Sequence, residues 1–460
     1  MKSFRRGFFD MNATYGGVLI MTLVFVTMFV VIFTGLSGLT SRQFHQGVLQ
    51  SQDERAFQIA EAGLNYGRWR LAHDPQNFAA VTKDVTDQFA GKIGEYSLTF
   101  TSPQAGSSVT KIQAVGITEN QPGRQVTLEA QYGIPSLARY ASITNEDVWY
   151  GGTLKGYVHS NGGIRMDGTS DSIVASAKQT YTCKPIHGCN NVTKPGVWGT
   201  GSDADLWEFP VPPVDYASMT LDLQDMKAAA EAANTYYGPS GNFGYHLLFN
   251  SNNTYSVYRV TQKTSSIWSY AADTDWQFTS HDINNKTFVH TKTVPANGIL
   301  FFSDNVWVNG DIRSRITVAA GVLPDQPSTN KDIILNGNIT YGGVKDGSRV
   351  FAAIAQRNIL IPYSAAPSNL TLEGAFIAQK GRFGRRYYDT GSHILKSTLT
   401  RYGMIASNLT PGTAWVNGSG QVISGYQSGT ASYDPNLLYA PPPYFPTAGE
   451  YEFLSWEQVE

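Results

Sequence analysis

Charge is what this chain has least of. Only 15% of its 460 residues are Asp, Glu, Lys or Arg, and 34 basic side chains almost cancel 36 acidic ones, for a net charge of -2. That count excludes a charged coiled coil and a disordered polyelectrolyte. No whole-chain field draws in a phosphate backbone, so nucleic acid is not an expected partner. Catalytic signatures are missing: the sequence has no Gly-x-Ser-x-Gly elbow, P-loop, His-Glu-x-x-His or EF-hand loop. Its 8 histidines are scattered, and His159, beside Ser160 and Asn161, reads as a turn residue rather than a base. With 2 cysteines and no Cys-x-x-Cys, a zinc site would need two further ligands. No cofactor and no metal are expected.

The shortage of charge is uneven. Between Asp10 and Arg42 there is no charged side chain, and Val18 to Phe33 is almost wholly apolar. A helix from Tyr15 to Leu39 would reach roughly 37 Å, enough to cross a hydrocarbon core of about 30 Å. A cleaved secretory signal would have a shorter apolar core and a small-residue exit, whereas this segment leaves through Gly38-Leu39-Thr40-Ser41-Arg42. Lys2, Arg5 and Arg6 precede the span, so the positive-inside rule leaves the stub 1–10 in the cytoplasm and exports the rest.

The helix is expected to continue above the membrane. From Arg42 to Ala72 there is no proline, and Phe44, Val48, Ala56, Ile59, Ala60, Gly63, Tyr66 and Trp69 recur at helical spacing until His73-Asp74-Pro75. Within it Ala56, Ala60, Gly63 and Gly67 form a stripe of small residues that lets another element approach the axis. Two readings stand for that stripe, the chain's own first β-domain and a neighbouring subunit.

The basic leader, the Gly16-Gly17-Val18-Leu19-Ile20 entry and the emergent Phe57-Gln58-Ile59-Ala60-Glu61-Ala62-Gly63-Leu64 segment resemble the N-terminal region of PilX-type minor pilins and related type IV pilin-like proteins. The resemblance covers about the first 72 residues. It implies a bacterial exported protein anchored by its N-terminal helix and associated with pilus assembly. It does not extend to processing. Where such proteins carry a glutamate five positions past the cleaved glycine, this chain has Asn12 after Gly7 and Thr22 after Gly17.

The exported part reads as β-structure. Tyr96 to Phe100, Lys111 to Val115 and Gln125 to Ala130 alternate with period two, and three strands there would pack on the upper helix as a small α/β unit. Beyond Pro135 an internal repeat emerges. The pattern apolar-x-Gly-x-apolar occurs at Leu154 to Val158, Val308 to Ile312, Leu335 to Ile339 and Leu372 to Phe376. A second phrase, Ile354-Ala-Gln, Ile377-Ala-Gln and Ile405-Ala-Ser, is displaced by 23 and then 28 residues. Short strands meeting at glycine corners at such spacings suggest a parallel β-helix. The competing antiparallel sandwich would use Asn297-Gly298, Asn309-Gly310, Asn336-Gly337 and Asn417-Gly418 as hairpin turns. The segment also resembles bacterial surface proteins that join a pilin-like N-terminus to a β-helix, a likeness that extends to Ala440 to Pro446 and Leu454-Ser-Trp456.

An excursion interrupts the repeat. Asp215 to Tyr236 reads as a helix, and Tyr245 to Phe249 with Tyr255 to Val260 as a hairpin joined through Asn250 to Asn253. Cys183 and Cys189 lie in it, close enough in sequence and exported, so a disulfide is the favoured reading. Asp167, Asp304, Asp311 and Asp332 occupy different phases of the repeat and read as turn caps rather than as the aligned acids of a polysaccharide-active enzyme. Trp149-Tyr150, Trp268-Ser-Tyr270, Trp276, Tyr387-Tyr388 and Tyr439 could offer rings to a glycan or protein.

The expected architecture is mainly β with a long N-terminal α-helix. Its parts are a cytoplasmic stub 1–10, the transmembrane and extended helix 11–74, a β-rich pilin-like unit 75–134, first β-helix coils 135–180, an α+β insertion 181–296, a β-helix 297–440 and a Pro/aromatic tail 441–460. The expected protein is a non-enzymatic, single-pass, membrane-anchored surface protein of a bacterium, acting in type IV pilus assembly or adhesion. Its expected partners are the lipid bilayer, pilin subunits or pilus assembly proteins, and surface glycans or host and partner-cell proteins. The alternatives are an extracytoplasmic polysaccharide lyase or hydrolase and a purely structural envelope scaffold.

Overall fold

The computed structural model describes residues 12–89, 91–103, 107–216, 219–447 and 450–459; the predicted stub 1–10 lies outside them. The described residues divide into two compact units, one within Met1–Phe100, Ile112–Ala130 and Trp456–Glu460, the other within Thr101–Lys111 and Gln131–Ser455.

The first unit is built on a single helix, α1 (Asn12–His73). Nothing between Tyr15 and Ala72 breaks it, and it ends where Asp74 donates its N–H to the Arg70 carbonyl at 2.8 Å, one residue before Pro75. Its last turns bury Ala56, Ile59, Ala60, Leu64 and Leu71. These meet strands β1 (Val81–Asp87), β2 (Gly91–Thr101), β3 (Thr110–Thr118) and β4 (Gln121–Gly133), whose sheet order is sequential and is continued beyond β4 by Glu452–Val459. Along β3, Ile112 and Ala114 alternate with half-exposed neighbours, the period-two signature of a sheet with one covered face. The three strands read from the sequence are present. β1 was not foreseen, and the expected tail 441–460 is corrected: its last residues, Glu452–Val459, form a sheet strand in a run free of Gly and Pro.

The second unit is mainly parallel β-structure. In its principal ladder the strands Tyr236–Tyr237, Ile299–Phe302, Arg315–Ala320, Val350–Ala355, Asn369–Ala378, Leu395–Ser407, Ser142–Thr144, Val158–Ser160, Val174–Ser176 and Trp207–Glu208 each pair in parallel with the next. A second ladder stacks Tyr245–Phe249, Val306–Asp311, Ile333–Thr340, Ile359–Leu360 and Phe383–Gly384. A third runs from Ile339 through Leu372, Arg401 and Ala431 to Leu154. Glycine carries the chain from the third ladder to the first: Gly156 (φ 104°) lies between Leu154 and Val158, and Gly374 (φ 147°) between Leu372 and Phe376. A Cβ at Gly156 would stand 2.5 Å from that of Tyr433, so both φ and space require glycine there.

The principal ladder is buried on both sides. Leu300, Phe302, Val318, Phe351 and Ala353 belong to one apolar cluster, and the alternating Ile299, Phe301, Ala319, Ala352 and Ile354 to another. The second cluster includes Leu223, Met226 and Ala230 of the helix Met219–Ala232, spaced to share one helix face. Near-continuous Val, Ile, Ala and Phe in these strands follow from that double burial.

The order of stacking is not the order of the sequence. The chain enters at Ser142–Thr144, in the middle of the ladder, and climbs to Trp207–Glu208 at one end. It returns through Met219–Ala232 to Tyr236–Tyr237 at the other end, then fills the remaining places until Ile405 pairs with Ser142.

Several expectations change accordingly. The ladders extend into the expected insertion 181–296, since Trp207–Glu208, Tyr236–Tyr237 and Tyr245–Phe249 all pair with ladder strands. The helix is shorter than Asp215 to Tyr236, and Asn234 closes it with φ 55°. The hairpin forms with Leu247 opposite Val257. Ile354 pairs with Ile377, the expected displacement of 23, but Ile377 pairs with Ala406 rather than Ile405, so the next displacement is 29. Of the four Asn-Gly pairs, Asn417-Gly418 turns a hairpin, between Ala414–Val416 and Val422–Ser432. Val308 and Leu335, just before two of the others, pair in parallel.

Candidate functional site

The first functional surface is the exposed start of α1. Val18 to Leu39 leave their large side chains uncovered, from 54% at Ile32 to 74% at Phe29. The segment is long and apolar enough to cross a membrane. Its threonine hydroxyls are satisfied within the helix. Thr22 donates to the carbonyls of Val18 and Leu19 at 3.0 and 2.9 Å, Thr27 to Leu23 and Val24 at 3.0 and 2.9 Å, and Thr34 to Val30 and Val31 at 2.8 and 3.0 Å. A threonine bonded in this way carries no unpaired donor into hydrocarbon.

The small-residue stripe meets the unit's own sheet. Ala56 and Ala60 are fully buried, and a Cβ added at Gly116 of β3 would lie 2.2 Å from the Ala56 carbonyl oxygen and 2.5 Å from the Ala60 nitrogen. A Cβ at Gly63 would come within 3.1 Å of the Tyr96 ring, and one at Gly67 within 3.1 Å of Ile112. The stripe is therefore occupied along its length by β2 and β3.

Cys183 and Cys189 are joined in a disulfide with Cα atoms 5.6 Å apart, and among the described residues no group of three His, Cys, Asp or Glu could hold a metal ion. The loop they close is wedged under Tyr181, whose hydroxyl accepts from Trp198 Nε1 at 2.8 Å. Arg165 donates to the His187 carbonyl at 2.8 Å while lying 4.2 Å over the Trp149 ring. Burial pushes the His187 imidazole below its ordinary value, and among the described residues neither ring nitrogen has a partner.

The four aspartates are engaged in holding turns. Asp332 accepts from Arg357 Nε and Nη2 at 2.8 and 2.6 Å and from the Asn358 N–H at 3.0 Å. Asp304 accepts from the Ser240 N–H and hydroxyl at 2.9 and 2.7 Å. Asp311 accepts from the Thr340 hydroxyl at 2.8 Å, and Asp167 from Trp149 Nε1 at 2.9 Å and Arg165 Nε at 2.7 Å. His159 is buried and bonded through Nε2 to Asn161 at 2.9 Å.

The aromatic residues converge more than the sequence suggested. In the hairpin Ile267–Ala271 and Asp275–Thr279, Trp268 faces Phe278 and Tyr270 faces Trp276. Trp268 and Trp276 stack at 5.7 Å and 13°, Phe278 lies 4.8 Å from Trp268, and Tyr387 meets the Trp276 edge at 5.7 Å. Trp415 closes the group against Tyr270 at 5.6 Å and Tyr387 at 5.8 Å. Phe278 remains 71% exposed and Trp268 40%. The shelf is held rigidly from below: buried Arg386 donates to the Ser269 hydroxyl at 2.8 Å, the Thr274 hydroxyl at 2.9 Å and the Asp275 carbonyl at 3.1 Å, and Arg382 pairs with Asp273 at 3.1 Å. Rings fixed in this way lose little freedom on contact with a partner.

Of the rings singled out in the sequence, Trp268, Tyr270, Trp276 and Tyr387 come together. Tyr388 is buried against Tyr363 at 4.7 Å, Tyr150 is buried with its hydroxyl on Ser142 at 2.7 Å, and Trp149 is covered by Arg165. Tyr439 is 41% exposed outside the shelf. Phe278 was legible as the period-two partner of Trp276. Trp415, far along the chain, gave no signal.

No protein-family profile matches the chain, and no curated protein matches it. Among solved structures, the crystal structure of the competence-associated pilin ComZ from Thermus thermophilus is similar at 14% identity, over 89% of this chain and 97% of that one. Its TM-score of 0.33 is too low for the likeness to carry an argument.

Proposed function

We propose that this chain is a membrane-anchored, pilin-like bacterial surface protein without enzymatic activity, acting in type IV pilus assembly or adhesion. The observation that carries the reading is α1 itself. One unbroken helix offers an uncovered apolar surface of membrane length at its start and packs its small-residue stripe on a sheet at its end. The resemblance of its Ala-Glu-Ala-Gly-Leu region to PilX-type sequences supports the same reading. The three parallel ladders, with glycine at their corners, are read as the faces of a β-helical ectodomain. The aromatic shelf is its contact surface for glycans or for proteins on a partner cell, through stacking of the kind Trp and Tyr provide.

Fractionation tests the anchor. The full chain is expected in the cytoplasmic membrane after carbonate washing, with protease added to spheroplasts removing the ladder unit; recovery in a soluble fraction would overturn the proposal. Immunogold labelling of intact cells separates filament, tip and scattered envelope locations. Glycan-array binding that is lost in Trp268→Ala supports adhesion, and turnover of uronic-acid polymers would sink the non-enzymatic reading.

A further inference from the structure

The place where the chain closes its stack is hollow. Phe383, Leu399, Ile405 and Tyr426 belong to one apolar cluster and Val148, Tyr150 and Leu154 to another. A cavity of about 760 Å³ is lined by both. Its origin can be read from the register. In the third ladder Leu399 pairs with Gly429, and two residues on Ala431 stands between Arg401 and Leu154 in the row Ile339, Leu372, Arg401, Ala431, Leu154, so a glycine and an alanine follow larger side chains on the preceding strand. Gly151 and Gly412 also line the hollow, and a Cβ added to either would meet nothing within 4 Å. Ala414, Val416 and Val422 of the last hairpin supply a further wall.

Arg401 stands out in this setting. It occupies a place in an otherwise apolar row, and among the described residues no hydrogen bond or ion pair engages its guanidinium; the Phe383 ring, 6.0 Å away, is its one close cation–π partner. Arg401 is half-buried, whereas the fully buried arginines of the unit are all engaged. Arg385 donates to the carbonyls of Ile394, Tyr363 and His393, Arg386 to Ser269 and Thr274, and Arg382 pairs with Asp273. A guanidinium stays ionised in proteins, so the half-buried Arg401, facing an apolar-walled cavity with no carboxylate of its own, offers a charge-assisted pair to an oxyanion. The one carboxylate in the lining, Asp167, is already matched by Arg165 at 2.7 Å. The site thus has one uncompensated positive charge, which suits a monoanion better than a phosphate dianion. Its volume falls in the range of small-molecule sites, roughly 300–1,000 Å³. A lining that combines apolar and aromatic side chains with Thr413, Gln427 and Thr430 suits a hydroxylated body.

We infer that this cavity binds a small monocarboxylate about the size of one or two sugar rings, with its carboxylate held by Arg401 and its body against Tyr426 and Leu399. A planar fork pairing two N–H groups with a carboxylate supplies the orientation.

Titration calorimetry on the full chain in detergent micelles, with glucuronate, galacturonate and lactate as probes and glucose and glucose 6-phosphate as comparators, tests this. Saturable binding of at least one carboxylate is expected, weakened about tenfold or more in Arg401→Met by loss of the charge-assisted pair. Ala431→Phe, which fills the hollow, should abolish binding while leaving the circular dichroism spectrum unchanged. Arg401→Lys keeps the charge without the fork and should bind weakly, so it reports even if Arg401→Met fails to fold. Absence of carboxylate binding to the unaltered protein, equal binding in Arg401→Met, or a preference for glucose 6-phosphate would each overturn the assignment. These outcomes do not depend on whether the chain is anchored in a membrane.

Discussion

The two units solve the same problem, bringing backbones close, by opposite means. In the helix and sheet unit closeness comes from missing side chains: Gly116 lies under Ala56 and Ala60, and a Cβ at Gly94 would stand 2.5 Å from Ile59. In the ladder unit it comes from repetition, with like residues such as Ile333 and Ile359, or Ile354 and Ile377, stacked on one another at strand spacing. A contact made of absence has no slack, whereas a ladder shares any misfit among many rungs. The first unit should therefore fail at single positions and the second, away from its glycine corners, should fail by degrees.

The sharpest way to break that contrast is Gly116→Val, which forces side-chain atoms into the helix backbone. A loss of roughly 3 kcal/mol or more is expected. Hydrogen exchange should show it in α1 and β1 to β4 while the ladders keep their protection, and uniform loss across both units would refute the separation. Next, Leu23→Arg places a charge on the uncovered part of α1, costing about 2.5–3.5 kcal/mol at mid-span. Carbonate extraction should then release a larger soluble share, while the stripe and sheet stay folded.

In the ladder unit, replacing both Cys183 and Cys189 by Ser should cost about 2 kcal/mol on the loop-entropy account, read as a lower melting temperature with the principal ladder retained. The smallest effect is that of acid. His246 is buried, accepting from Lys286 Nζ at 2.7 Å on one nitrogen and bonded to Asn309 at 2.7 Å on the other. Burial chiefly, with the Lys286 charge adding to it, holds its pKa down to about 4, and burial does the same for His281. These histidines are neutral in the fold. Their contribution is complete above the unfolded value of about 6.5 and is lost as the pH falls from there toward 4. The melting temperature of the ladder unit should decline through that window, more gently in His246→Gln, and a flat profile would count against burial as the cause.

What the sequence revealed follows the same division. The apolar run from Val18, the helix to His73 and strands β2 to β4 were legible because their patterns are local and their partners adjacent. The repeat was legible as a displacement of 23 from Ile354 to Ile377, since equal rungs carry equal residues. The meeting of Ile405 with Ser142 was not, because neither residue type nor spacing marks which rung follows which. The shelf was half legible: Trp268, Tyr270 and Trp276 stood out as rings close in sequence, Phe278 at period two from Trp276 was passed over, and only folding brings Tyr387 and Trp415 to them. Arg401 drew no attention, since a single arginine in a run such as Ser397-Thr398-Leu399-Thr400-Arg401 looks like a solvated strand residue until the register puts it in an apolar row.

The displaced order of stacking also sets a timetable. Asn145 donates to Asn408 at 2.8 Å across 263 residues of chain, so the joint between the early and late strands closes only when nearly the whole unit has been made. Contacts this distant in sequence slow folding, because the closure entropy of the intervening chain is lost before the contact is gained. Until then Ser142–Thr144 presents an open strand edge, the surface on which one growing chain pairs with another. A protein built in this order has its greatest exposure to misassembly during synthesis, and little of it once the last rung is seated.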